Sequence, residues 1–196
     1  MPLSDRPIQG GSRLAVVLSG QTPGQEAVTT TLTSSGAIAL DVNVADSAIS
    51  YGTTISQTPV VTAGAYTAGD AVGGLLEFIN AARAAGGGGV IKDVLIIDDN
   101  GQDVAMELWL FNATFTAMAD NAPWAPSEAD LRKLLAIIPT SDGAWFAAGT
   151  PSAARVEASQ RYDLVGTSLF GQLVTRGTPT FAATDDISVI VGLLQD

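Results

Sequence analysis

Cysteine and histidine are both absent from the 196 residues. Their absence removes thiolate and imidazole zinc sites, cysteine nucleophiles and Ser-His-Asp arrangements in one step. Without cysteine there is no disulfide framework, so the chain must fold by packing alone, indifferent to the redox state of its compartment. Positive charge is scarce: 9 Lys and Arg stand against 20 Asp and Glu, a formal net charge of -11. A nucleic acid backbone would be repelled by that balance rather than neutralised. The basic residues, from Arg6 to Arg176, are spread along the chain, and no polybasic run suggests an RNA or membrane surface. Long apolar runs are missing too. None reaches the roughly eighteen residues of a membrane helix, and Leu14 to Leu18 is too short for a signal-peptide core. The expectation is synthesis in the cytoplasm, with no nucleic acid and no membrane as partner.

At 46% hydrophobic content the chain can bury one good core plus a small amino-terminal appendage. Residues 1–57 form that appendage in this reading, rich in Thr, Ser, Gly, Ala and Gln, with Tyr51 as their one aromatic. Within them AIALDVNVA puts Ile38, Leu40, Val42 and Val44 on one side with period two, as a half-buried strand requires. AVTTTLT, joined to it through Ser34 to Gly36, makes the hairpin partner. A lone hairpin is marginal, so the segment needs a neighbouring surface or a symmetry mate.

From Pro59 onward VVTA, GGLLEFINA, VIKDVLIIDD and DVAMELWLFNA read as successive strands separated by turn residues. Asn100-Gly101 supplies a tight turn that would make the third and fourth antiparallel neighbours. PSEADLRKLLAII reads as the one helix, capped by Ser127, with Leu131, Leu134, Leu135 and Ile138 on one face and Pro139 as its stop. QRYDLVG, SLFGQLVTRG and DISVIVGLLQ complete the strands. The expected fold is all-β with one short helix, an antiparallel sandwich of jelly-roll type over residues 58–196, preceded by the strand-forming segment 1–57.

Gly86 to Gly89 resembles a phosphate loop only in glycine content, because it runs into a strand without the Gly-Lys-Ser/Thr ending; a flexible link between strands fits better. Asp98, Asp99, Asn100 and Asp103 are oxygen-rich but lack the spacing and closing Glu of a calcium loop, so a hairpin turn is expected. Asp185-Asp186 reads as a solvated pair. Glu77, Glu107, Asp120 and Glu128 could furnish a glycosidase pair, yet no spacing selects two of them. No catalytic, cofactor or metal residue is assigned. Trp109 and Phe111, two apart in a strand, belong to one core face. Trp124 and Trp145 sit in loop-like surroundings, where core and partner-contact roles both stay open. They are the candidate interface residues.

Five segments carry a resemblance: TAGAYTAGDAVGG at Thr62 to Gly74, a V-I-x-x-V strand at Val90 to Asp98, the LF ending at Leu108 to Phe111, DNAPWAPSEADL at Asp120 to Leu131, and LFGQLVTRGTPT with its final strand at Leu169 to Asp196. In that order they resemble a β-rich module of virion structural proteins of tailed bacteriophages, over about residues 58–196. The resemblance implies a non-enzymatic capsid decoration or cement protein on the head surface, partnered by the major capsid protein and by sister subunits as a trimer or dimer. A head-fibre or tail-associated receptor or glycan-binding component, with Trp124, Trp145 or Tyr66 lining a shallow site, is the alternative. Residues 1–57 lie outside the resemblance and would attach the module to the capsid or a sister subunit.

Overall fold

A computed structural model describes residues 29–32, 38–41, 51–141 and 145–196 of the chain. Two units are separable, Met1–Ile49 and Ser50–Asp196. In the first, β1 (Thr29–Leu32) pairs antiparallel with β2 (Ile38–Asp41), Thr29 opposite Asp41 and Leu32 opposite Ile38. Val42 and Val44 lie outside the described residues.

The second unit contains β3 (Tyr51–Gln57), β4 (Ala71–Phe78), β5 (Gly88–Asp98), β6 (Met106–Phe111), the four-residue α1 (Glu128–Leu131), β7 (Leu134–Pro139), β8 (Trp145–Ala147), β9 (Ser152–Asp163), β10 (Leu169–Thr175) and β11 (Ile187–Gln195). Period two drives it. In β11, Ile187, Val189, Val191 and Leu193 are buried while the residues between them are partly exposed, a spacing that only an extended strand turns into one apolar face. The strands form two antiparallel sheets, β4-β10-β6-β7 and β3-β11-β5-β9-β8. With the short β8 set aside, the remaining eight strands numbered along the chain fall in the orders 1-8-3-6 and 2-7-4-5. The chain thus changes sheet at every step but one, which is the jelly-roll winding of an antiparallel sandwich.

The core lies between the sheets. Leu76, Phe78, Leu108, Leu110 and Leu173 from one side meet Ile91, Val94, Ile96, Val189 and Val191 from the other. Each such side chain contributes about 1.5–3 kcal/mol on burial.

Several local expectations are corrected by this packing. The helix is one turn long. Ser127 caps it, its hydroxyl accepting the Asp130 amide at 3.1 Å, but the chain leaves the helix at Arg132. Leu134–Pro139 is a strand, with Ile138 opposite Leu108 and Leu134 opposite Phe111. The edge of β6 offers this segment a full ladder and cross-strand apolar contacts, which outweigh the few tenths of a kcal/mol per residue by which Leu and Ala prefer helix. Leu131 is consequently exposed.

The Asn100-Gly101 turn forms, with Gly101 at φ 62°, but it carries the chain from β5 to β6 in the opposite sheet and does not make them a hairpin. Both oxygens of buried Asp98 are spent on that turn, accepting the Asn100 amide at 3.0 Å and the Gln102 amide at 2.8 Å. VVTA is no strand: it runs along the sandwich with Val61 buried and its amide bonded to the Thr184 carbonyl at 2.9 Å. Gly88 and Gly89 are no flexible link either. They open β5, where a Cβ on Gly88 would stand 2.3 Å from the Tyr162 carbonyl and one on Gly89 2.0 Å from the Leu194 carbonyl. The unit boundary also moves. Residues 51–57 pair with β11 from Tyr51 opposite Gln195 to Gln57 opposite Val189, so they belong to the sandwich and not to the appendage.

Candidate interaction surface

Thr62, Tyr66 and Gly73, all in the approach to and start of β4, converge on the carboxylate of Asp120, 47 to 58 residues further on. Its oxygens accept the Thr62 amide (2.7 Å), the Thr62 hydroxyl (2.6 Å), the Tyr66 hydroxyl (2.7 Å) and the Gly73 amide (2.6 Å). Tyr66 in turn is buried edge-on against Phe181, ring centroids 5.2 Å apart. Burial and the neighbouring Asp120 push its hydroxyl pKa well above the ordinary tyrosine value. Fully buried Gln172 on β10 acts similarly. It donates to the carbonyls of Gly73 (2.8 Å) and Met118 (2.7 Å) and accepts the Met118 amide (2.9 Å). These bonds fasten the 112–133 connection over the outer face of the four-stranded sheet. Tyr66 is therefore a structural residue and does not line a surface site.

Under that connection lies an aromatic cluster. Phe111 stacks on Phe115 at 4.0 Å, and Trp124 packs on Trp109 at 5.4 Å and edge-on to Phe115 at 6.3 Å. Trp109 and Phe111 do share a face, as expected, but it is the face turned away from the inter-sheet core, since Leu108 and Leu110 take the inward positions. Trp124 is half-buried there. Trp145 is half-buried at the other sheet, packed against the main core, its ring N–H donating to the Val104 carbonyl at 3.0 Å. The two tryptophans thus lie on different faces and do not form one site.

Among the described residues the exposed aromatic is the neighbour of Trp145. Phe146 on β8 has 74% of its surface open to solvent. Phe146 is one of the aromatics the sequence offers for a stacking platform or partner contact, and the strand places it outward: adjacent side chains point to opposite faces, so an inward Trp145 dictates an outward Phe146. In register beside it stand Ala153 and Ile97, and the next row holds Leu95 and Ile190, all partly exposed. Arg155 and Asp93 form an ion pair on the same face. An aromatic outcrop beside an aliphatic sheet face, bordered by charge, has the composition of a protein contact surface.

Three of the four carboxylates weighed for a catalytic pair are otherwise engaged, and Glu77 is exposed on β4. Glu107 accepts Arg176 at 2.6 Å and the Trp109 ring N–H at 2.9 Å, and the arginine holds its carboxyl below the ordinary glutamate range. Glu128 pairs with Arg132 along α1, and Asp120 sits at the junction just described. Asp186 accepts the Ala182 and Ala183 amides at 2.6 and 2.9 Å, so it closes a turn instead of standing in solvent. Among the described residues no three carboxylates gather where a metal ion could be held. No protein family, curated protein or solved structure was found to match this chain.

Proposed function

We propose that this chain is a structural component of a tailed-bacteriophage virion, a non-enzymatic capsid decoration or cement protein that binds the outer head lattice. The observation that carries this reading is the convergence on Asp120 and Gln172. The segments whose pattern resembles phage virion modules, Thr62 to Gly74, Asp120 to Leu131 and Leu169 onward, meet in space and spend their polar side chains on holding one another. Such a pattern is a signature of a fold and not of a catalytic centre. The jelly-roll winding recurs among viral capsid and lectin domains, which supports the reading by analogy only, since a fold hosts many functions.

The partners in this reading are the major capsid protein and sister subunits, met through exposed surface such as that around Phe146. The charge of -11 disfavours packaged nucleic acid as a partner. The test is cosedimentation of the purified chain with capsids stripped of it, with copies counted per particle. Saturation at hundreds of copies is expected for a lattice-binding protein. A few or a dozen copies would assign it to a vertex, head fibre or tail, and the exposed ring of Phe146 beside Trp145 would then be assayed on a glycan array. No binding at all would remove the virion reading.

A further inference from the structure

β9 is twelve residues long, yet on the side away from β5 the described strands cover only its start, where β8 pairs Trp145 with Ala154 and Ala147 with Ser152. From Arg155 to Asp163 no described strand lies on that side. The other sheet leaves the gap open, because β7 is itself an edge. Two grooves of 340 and 200 Å³ run between β7 and β9 there, with Ile137, Val156, Ala158 and Gln160 in their walls.

At every second position along this open stretch stand the exposed Arg155, Glu157, Ser159, Arg161 and Asp163, with Gln160 exposed beside Ser159. Reversed about Ser159, the pattern is its own complement: Arg155 falls opposite Asp163, and Glu157 opposite Arg161. The centre of the charge pattern is also the centre of the stretch that β8 leaves uncovered. We propose that two copies of this chain pair antiparallel along β9 about a two-fold axis at Ser159, joining their five-stranded sheets into one.

The geometry suits such an isologous contact. Arg155 and Glu157 stand in register with Leu95 and Asp93 on the outer face, while Val156 and Tyr162 face the core. A two-fold normal to the sheet keeps each side chain on its own face, so all four charges meet on the outer side. Other registers are disfavoured by the same residues. A two-residue slip puts Arg155 opposite Arg161 or Glu157 opposite Asp163, and a parallel pairing sets like against like. Charges and bulges ordinarily shield a strand edge from pairing, and β9 carries a bulge where its register with β5 shifts and Ser159 takes φ 50°. The bulge sits on the axis, leaving residues 155–157 of one copy to ladder with 161–163 of the other. A merely protective edge would not need charges that complement their own reversal.

This inference is independent of the virion reading, because it is tested on the purified full chain alone by sedimentation velocity. The expected result is a concentration-dependent dimer that Glu157→Arg weakens about tenfold or more through two like-charge contacts, and that Glu157→Arg combined with Arg161→Glu restores. Near-UV circular dichroism confirms that each variant is folded. A second measurement uses the lack of cysteine: a residue on the two-fold axis faces its own mate across the contact, within disulfide reach. Ser159→Cys should therefore oxidise to a covalent dimer while Asp185→Cys on an exposed turn should not. A monomer at all concentrations, an odd-numbered oligomer, a dimer indifferent to Glu157→Arg, failure of the double variant to restore it, or equal cross-linking at 159 and 185 would each overturn the proposal.

Discussion

Tyr66 and Asp120, 54 positions apart, are joined by the tyrosine hydroxyl, which donates to the carboxylate oxygens at 2.7 and 2.8 Å. The same carboxylate holds Thr62 and Gly73, so one side chain ties the approach to β4 and the first residues of that strand to the long connection after β6. Replacing it leaves several donors without their partner. Asp120→Ala should cost about 2–4 kcal/mol, and Tyr66→Phe about 1–2 kcal/mol, measured from urea unfolding. A loss below about 0.5 kcal/mol for Asp120→Ala, the range of an ordinary surface substitution, would show that the junction is not structural.

Glu107 sets the sign of an acid effect. Arg176 lowers its pKa on folding, so its contribution is complete above the ordinary value of 4.5 and is lost as pH falls through the depressed folded value. Glu107→Gln should flatten the stability profile below about pH 5. Asp98 has the opposite sign. Burial raises its pKa, so its contribution is present below the ordinary 3.8 and is lost as pH rises through the raised folded value. Stability measured from pH 3 to 7 for the two variants, Glu107→Gln and Asp98→Asn, should change slope in opposite directions.

At the alkaline end Tyr162 acts alongside Tyr66. Burial pushes the Tyr162 pKa up from 10.0 to about 12, so the folded state favours the neutral phenol. Its contribution is whole below pH 10 and is lost as pH rises towards 12. Absorbance at 295 nm should show its ionisation together with unfolding. Tyr162→Phe should reduce that alkaline sensitivity while lowering stability at neutral pH, through loss of the hydroxyl bond to the Ala81 carbonyl.

Gly89→Ala should be among the most damaging single-methyl changes available. The added carbon would lie 2.0 Å from the Leu194 carbonyl, which forces β5 and β11 apart. We expect a loss of about 3 kcal/mol or more. Gly166→Ala, with nothing within 4 Å of the new atom, is the control and should stay within about 0.5 kcal/mol.

The aromatic residues separate by role. Trp124→Ala empties the cluster with Trp109 and Phe115 and should cost about 3 kcal/mol in stability. Phe146→Ser should leave the urea midpoint unchanged, because its ring is mostly in solvent, and should weaken capsid cosedimentation severalfold. Equal effects of the two variants on capsid binding, with stability intact in both, would return Trp124 to the contact surface.

Absence, periodicity and turn chemistry are legible in the sequence itself. Without Cys or His whole reaction classes fall away, and the alternation in Ile187 to Leu193 marks a strand in any fold. The Ser127 cap also follows from local rules, because a hydroxyl meeting an amide three residues on needs no distant partner. An antiparallel sandwich followed from counting such strands, with Greek-key and jelly-roll windings both open until the sheet order chose between them. The Asp120 junction was not legible, since a carboxylate in a loop carries no sign of the donors that will find it 47 to 58 residues away.

What the sequence alone determined is therefore the local grammar: which stretches are extended, where they turn, and that the chain is acidic and built without cysteine. Tertiary structure decided everything that depends on which edge is free. Leu134–Pro139 became a strand because β6 had an unpaired side. Residues 51–57 joined the sandwich because β11 had one, and Gly88 and Gly89 are required because two neighbouring backbones pass too close for a methyl group. Strand pairing is a non-local interaction whose energy depends on the partner presented, so propensity proposes a conformation and the available edge selects it.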